Sequence, residues 1–582
     1  MFQKYRKVLF LQWQSAHVRH GLLLLIVFVV LSGLPYSRPS DQRGYRLTDS
    51  PLPTPTSQAV LTQKDPYTRP AAANSAVLTQ RGDSTRLGWD QHETVLNTST
   101  VNVSRFGKRI AYSVDGKIYA QPLFVPNLLI RSIDYNVVIV ATEHDSVYAF
   151  DADARTPEPP LWHTSFLHDG TTTISSMHDV HCPSISPEFG ITGTPVIDPV
   201  TRTLYIVAAT HEGTELVYRL HSLDITTGSE KVLPMRIQAS MPGTGDTAAR
   251  NVIFNAYQEQ MHMGLLLLNG VVYTAFASYC DKYPFHGWIL GYRASDLQQV
   301  VVYTSTPKGW GGGIWESASG LTADTDGNIY VMSGNGSFDL DTGGLDASNS
   351  LMKLRPQNGH LKIVDSFTPF NQKCTLAHDL DLGSGTPLLL PGQNEIIAIG
   401  KEGRIYVLNR SNLGGYQVVP DPCNKQQLPR TDIDHVIQEL PPYTLPGEFW
   451  GAEGYYAAPT GEYIYTAGSE DHLKAWKIVN GKLVPSPVSQ APETLNYPGA
   501  IPVVSSNERV PGTAIVWLVD QENVAVLRAY AATDLTHELY NSRQNTSRDG
   551  LQGYDNFIVP TIANGEVFVG TAGSLAIFGQ LD

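Results

Sequence analysis

The chain has 582 residues, too many for one small core, so several domains or one large repeat architecture are expected. Only 16% of residues are charged and the net charge is −14, with no basic run beyond the first twenty residues. That excludes a nucleic-acid partner, whose phosphate backbone is held by clustered Lys and Arg.

Residues 1–20 carry Lys4, Arg6, Lys7 and Arg19 with no acid, and residues 21–34 form an apolar run. As a helix this run is about 21 Å long, short of the ~30 Å hydrocarbon core and within the usual length of a signal h-region. The following Pro35-Tyr36-Ser37-Arg38 lacks the small-residue cleavage pattern. A signal peptide and an uncleaved membrane anchor are both open, and either exports the bulk of the chain while the basic flank stays in the cytoplasm. Residues 35–95 are rich in Pro, Ser, Thr, Gln and Ala. Such a composition buries too little apolar surface to offset chain entropy, so a flexible tether is expected there.

From about Asn97 the texture changes to repeating strands. Ala120-Gln121-Pro122-Leu123 leads to the apolar run Val137–Thr142 and then to Val147-Tyr148-Ala149-Phe150-Asp151. Gly193-Thr194-Pro195-Val196 leads in the same way to Leu204–Ala208 and Leu220–Asp224. Further openings near Met263, Ser319, Gly385-Thr386-Pro387, Ala458-Pro459, Ile501-Pro502 and Val559-Pro560 bring the count to eight units. Repeats of short antiparallel strands that close radially predict an all-β chain over 96–582, an eight-bladed β-propeller with seven blades as the alternative. Hairpin turns between the runs disfavour a parallel β-helix. The C-terminal run Ser574–Leu581 stops without an outermost strand, and residues near Asn97–Ile110 are expected to supply it.

The four cysteines, Cys182, Cys280, Cys374 and Cys423, form no CxxC, which excludes a c-type haem attachment and a zinc ribbon. In an exported chain their order suggests the pairs 182–280 and 374–423, with four buried thiols as the alternative. Asp324-Thr325-Asp326-Gly327-Asn328 has the flavour of a calcium loop but no distal Glu, and reads as a hairpin turn. No G-x-S-x-G, HExxH or P-loop occurs.

Candidate chemistry gathers between Gly309 and Arg410. This stretch holds Gly311-Gly312-Gly313-Ile314-Trp315, Ser333-Gly334-Asn335-Gly336-Ser337, His378-Asp379-Leu380-Asp381 and Gly400-Lys401-Glu402-Gly403. Together with Ala141–Asp151, Asp381–Gly385 and Pro560–Gly570, these motifs resemble the quinoprotein (pyrroloquinoline quinone, PQQ) propeller superfamily. Within it they are most similar to exported bacterial PQQ-like repeat proteins without an assigned activity.

The resemblance implies roles residue by residue. Trp315 would be the flat floor beneath a flat quinone, where stacking fixes orientation. Asn335 would offer a hard side-chain oxygen to Ca²⁺. Glu215 would be a second ligand, with Glu212 competing for that position. Asp381, or Asp379 beside it, would take the proton of a substrate alcohol, and Lys401 would face a quinone oxygen. Each has a plainer alternative: an inter-blade Trp, an Asn-Gly turn, a turn-capping Asp and a solvated Lys. The chain departs from the dehydrogenases in lacking both their adjacent cysteine pair and a CxxCH haem site, so electrons would need an external acceptor. The implied activity is a PQQ- and calcium-dependent oxidation of an alcohol or sugar. The rival expectation is a non-catalytic extracytoplasmic propeller that binds a protein or glycan.

Overall fold

The computed structural model describes residues 75–245, 250–522, 524–553 and 556–581. The apolar run at 21–34 and most of the expected tether lie outside the described residues. Among those that are described, no helix is long and apolar enough to cross a membrane.

The described residues form an all-β propeller. Eight sheets of three to six strands and one two-stranded ribbon form among the described residues. A representative sheet runs Leu123–Ile130, Ile133–Ala141, Ser146–Asp151 and Trp162–Ser165 in chain order, each strand antiparallel to the next. Middle strands such as Ile329–Met332, Ile515–Gln521 and Ala525–Ala531 are buried at every position. Their Val, Ile and Leu content follows from sheets packing on both faces, which leaves no solvent side for polar residues to alternate with. One such interface puts Tyr273, Ile289 and Val301 of one sheet against Leu321, Ile329 and Met352 of the next. The Asp324–Asn328 segment is the expected hairpin turn, with Gly327 at φ 80° and the Asp324 carboxylate accepting from the Asn328 amide.

The segments that lead into successive sheets are hydrogen-bonded side by side and so define the axis. Gly264 bridges Gly320 and Gly385 bridges Gly451, both in parallel. Leu265 N–H donates to Thr194 O at 2.9 Å, Glu316 N–H to Gly383 O at 3.1 Å, and the Gln121 side-chain amide to Pro560 O at 3.4 Å. The last bond joins the first sheet to the final one. Closure is completed by the strand Phe106–Lys117, which pairs antiparallel with Glu566–Gln580 from Phe106↔Gln580 to Lys117↔Ala572. The N-terminal strand expected to fasten the ring is thus present, displaced toward the C-terminus of the predicted Asn97–Ile110 stretch.

Residues 75–95, expected to belong to the tether, instead pack across the leading strands of the propeller. Val77 exchanges two hydrogen bonds with Phe124, Leu78 O accepts from Ile197, Ser84 O from Ala323, Leu87 O from Tyr455 and Gly88 O from Val504. Two arginines explain why so polar a stretch is buried. Arg86 donates to Leu265 O at 2.9 Å, Leu321 O at 3.3 Å and Gln80 O at 2.7 Å, and Arg81 donates to Glu453 O and Pro502 O. Each guanidinium answers main-chain carbonyls leading into two successive sheets at once, using the five-donor fork that only Arg has. Burial lowers both arginines to about 10.

Facing them are two buried carboxyls, Glu316 and Glu453, each pushed up to about 8 by burial, which outweighs the attraction of Arg86 and Arg81 respectively. Both disulfides suggested by cysteine order are formed, Cys182–Cys280 and Cys374–Cys423.

Two outcomes follow. Arg86→Ala leaves three carbonyls without their donor and should lower stability by about 3 kcal/mol in urea unfolding; an unchanged midpoint would contradict the packing role of this arginine. The raised carboxyls hold protons that the unfolded chain has already lost, so folding stability is full below the unfolded value of about 4.3 and is lost as pH rises through about 8. The melting temperature should therefore fall between about pH 5 and about pH 9, and Glu453→Gln should flatten that slope.

Candidate functional site

Three turns converge at one end of the axis. Gly311 and Gly312, at φ 75° and 66°, make a turn that only glycine adopts without strain. It docks on the turn after Ile329–Met332, with Gly312 N–H donating to Asn335 O at 2.7 Å and Gly334 N–H to Gly313 O at 2.9 Å. The third is the turn between Glu395–Ile399 and Ile405–Asn409, where Lys401 N–H donates to Asp381 O at 2.9 Å. Backbone pairing therefore sets the side chains before any side-chain contact is made.

Gly334 is the point where they meet. A Cβ built there would lie 2.5 Å from Asp381 Oδ1 and 3.1 Å from both Cδ1 and Nε1 of Trp315. Asp381 Oδ1 accepts from the Asn335 N–H at 2.6 Å, and Asp381 Oδ2 from Lys401 Nζ at 2.5 Å. Asp379 Oδ1 lies 3.5 Å from the same ammonium and accepts from Asn335 Nδ2 at 3.2 Å. The Asp381 and Lys401 side chains are 7% and 6% exposed while Asp379 is 49% exposed, so the first two form a buried pair and the third opens to solvent. Burial acts to lower the lysine, but the carboxylates of Asp381 and Asp379, with a smaller contribution from Asp281, outweigh it and hold the ammonium above its ordinary range. Its charge also sits over the Trp450 ring at 4.4 Å.

Trp315, Asn335, Asp381 and Lys401 are thus brought together, with Asp379 as a member rather than an alternative to Asp381. Glu215 is not part of this group. It stands beside the turn at Gly213-Thr214, where its carboxylate accepts from Arg236 at 2.7 Å on the edge of a cleft of about 580 Å³ also lined by Tyr257 and Gln258. Its competitor Glu212 is held by Arg219 at 2.7 and 2.8 Å. Both acids are matched by arginines of their own sheet.

Two contributors escaped the sequence motifs. Asn349 links the turns, its Nδ2 donating to Asn335 Oδ1 at 2.7 Å and its Oδ1 accepting from Leu382 N–H at 3.0 Å. Trp450 lies one residue before the Gly451 that bridges Gly385, so aligning the units on these glycines would have placed it at the axis. It belongs to an aromatic layer drawn from the leading segments of several sheets: Trp450 to Phe557 at 6.4 Å, Phe557 to His262 at 5.3 Å and His262 to Tyr119 at 6.5 Å. These sheets are not neighbours in the ring, so the rings reach across the axis and floor the mouth. Burial lowers His262 to about 4, leaving it neutral at pH 7.

Solved structures with this fold include the quinohaemoprotein alcohol dehydrogenase of Comamonas testosteroni, with a TM-score of 0.57 at 14% identity over 87% of this chain and 80% of that one. A quinohaemoprotein alcohol dehydrogenase of Pseudomonas putida HK5 gives 0.52 at 12% identity over 87% and 80% of the two chains. A europium-containing methanol dehydrogenase gives 0.52 at 13% identity over 87% and 98%. No family model and no curated protein matches the chain. At these identities the likeness is one of fold.

Gly334→Ala tests the convergence directly. The added methyl must displace the Asp381 carboxylate or the indole, so tryptophan emission should shift and stability fall by about 1–3 kcal/mol. Unchanged emission and an unchanged urea midpoint would mean that the two side chains do not meet there.

Proposed function

We propose that this quinoprotein-fold protein is an exported oxidoreductase whose axial mouth holds PQQ and oxidises an alcohol or sugar. The observation that carries the reading is the meeting of Trp315, Asp381 and Lys401 around Gly334, since the propeller fold alone does not require these side chains to share one site. On this reading each of the eight larger sheets formed among the described residues is one blade.

The residues at the mouth fit a flat quinone. Trp315 is half-buried, and the glycines at 313 and 334 lie against its Nε1 edge, where a Cβ would come within 3.1–3.2 Å of it. Lys401 supplies a fixed positive charge in a recessed place, and an ammonium has three N–H donors for oxygen acceptors. When bound, PQQ supplies a two-electron acceptor for the hydride of the substrate carbinol carbon. The protein's part is positioning and proton handling. Trp315 orients the ring plane, the aromatic layer keeps water from entering along the axis, and Lys401 stabilises negative charge on an oxygen brought against it. Asp381, within reach of the same space, takes the hydroxyl proton at its carboxylate, and the half-exposed Asp379 is placed to pass a proton to solvent. Electrons leave to an external acceptor, because the sequence holds no CxxCH haem-attachment motif.

Calcium fits less well. The Asp381 oxygens and Asn335 Oδ1 already accept from Asn335 N–H, Lys401 and Asn349, and Glu215 is elsewhere. No group of three or more acids, histidines or cysteines able to hold a metal ion occurs among the described residues. No step is therefore assigned to a metal ion.

Export is supported by the two disulfides, which persist in oxidising compartments, and by the basic and apolar N-terminal residues. Titration of PQQ into the protein should quench tryptophan emission and raise the melting temperature, because a ligand of the native state must stabilise it. Trp315→Ala should weaken that binding roughly tenfold. Asp381→Asn should retain binding and lose reduction of an artificial electron acceptor. Absence of both quenching and stabilisation in the wild type would refute the cofactor and favour the binding-scaffold reading.

A further inference from the structure

We infer that Lys401 is the resident cation of this site, standing where a divalent ion would otherwise neutralise Asp379 and Asp381, so that the mouth binds its ligand without a metal. The pair of carboxylates is the sort of group that attracts a divalent ion, yet an ammonium already lies 2.5 Å from Asp381 Oδ2 and 3.5 Å from Asp379 Oδ1. It is buried, bonded to Asp381 Oδ2 and stacked on Trp450, and its main chain is fixed by the bond from Lys401 N–H to Asp381 O, so it is not free as a surface lysine is. A second cation entering beside it would meet direct repulsion in a place poorly screened by water.

The remaining oxygens point to the same conclusion. Calcium takes six to eight oxygen ligands. Here Asn335 Oδ1 is held by Asn349, Asp381 Oδ1 is held by a main-chain N–H, and the acids on the Glu212–Glu215 turn are matched by Arg219 and Arg236. Ion binding would break several of these contacts while replacing one cation by another. The ligand class follows from the cation that is present: an ammonium with two carboxylates on it has a remaining N–H for a carbonyl or carboxylate oxygen, and Trp315 provides a flat neighbour.

The inference concerns the protein's own side chains and does not need the quinone, so the metal-free, ligand-free protein tests it separately from the proposed activity. Terbium is the probe, because Trp315 and Trp450 are close enough to sensitise its emission. After chelator treatment, the wild type should show no saturable sensitised emission, and its melting temperature should be the same in EDTA and in calcium. Lys401→Met should gain saturable emission that calcium displaces, and adding Asp381→Asn should remove it. Lys401→Arg, which keeps the charge, should stay silent. Saturable emission from the wild type that Asp381→Asn abolishes would overturn the inference, as would a melting temperature that EDTA lowers and calcium restores. A folded Lys401→Met protein that stays silent would also overturn it, since the lysine would then not be what keeps the ion out. Should Lys401→Met fail to fold, the wild-type emission and the EDTA comparison still decide between the two outcomes.

Discussion

Closure of the ring is the constraint on which the rest depends. A leading strand at the axis has a neighbour only if the next sheet is in place, and a row of such strands has two open ends unless the last sheet meets the first. Here the seam is sewn by sequence-distant partners, the strand Phe106–Lys117 against Glu566–Gln580, with the Gln121 amide reaching Pro560 beside it. Once it is closed, equivalent positions in successive units face one another across the axis whatever their separation in the chain. That is how His262 comes to touch Phe557, while the Asp381 carboxylate and the Trp315 indole, on adjacent leading segments, meet beside Gly334.

The two ends of the axis solve the problem of buried polarity differently. At one end the Arg81 and Arg86 guanidiniums answer carbonyls of the leading strands, and two carboxyls that burial keeps protonated near neutral pH stand opposite. At the other end a full ion pair, Asp381 with Lys401, is kept away from water. Such a pair recovers its desolvation cost only through close geometry and extra hydrogen bonds, and an apolar pair of similar size is often as stable. Its presence beside a half-buried tryptophan and an exposed second carboxylate is therefore better explained by what the mouth does than by what the fold needs.

Much of this was legible before the structure. The strand periodicity, the missing outermost strand, the cysteine pairing and the Asp324–Asn328 turn all rest on local pattern or on simple counting, and all are present, the closing strand displaced from Asn97–Ile110 to Phe106–Lys117. The order of Trp315, Asn335, Asp381 and Lys401 was also readable, because each sits in a short motif at a strand end. Residues 75–95 misled because low apolar content reads as disorder, whereas here two arginines do the packing by hydrogen-bonding main-chain carbonyls that lie between 179 and 421 residues further along the chain. Glu215 misled because spacing names a residue type near a turn but not its partner, and an arginine on the adjoining strand claims it. Asn349 and Trp450 carry no motif; only the register between units, visible as the Gly385–Gly451 bridge, identifies the latter.

The central claim is that the N-terminal strand closes the ring in one register and so builds the mouth. Ser113 and Ser574 face each other across that seam. Replacing both by cysteine gives the most direct measurement, since opposed residues of antiparallel strands are close enough to bridge. The account predicts a reducible cross-link that forms in air and raises the melting temperature. Two thiols that remain free in the folded protein would contradict it.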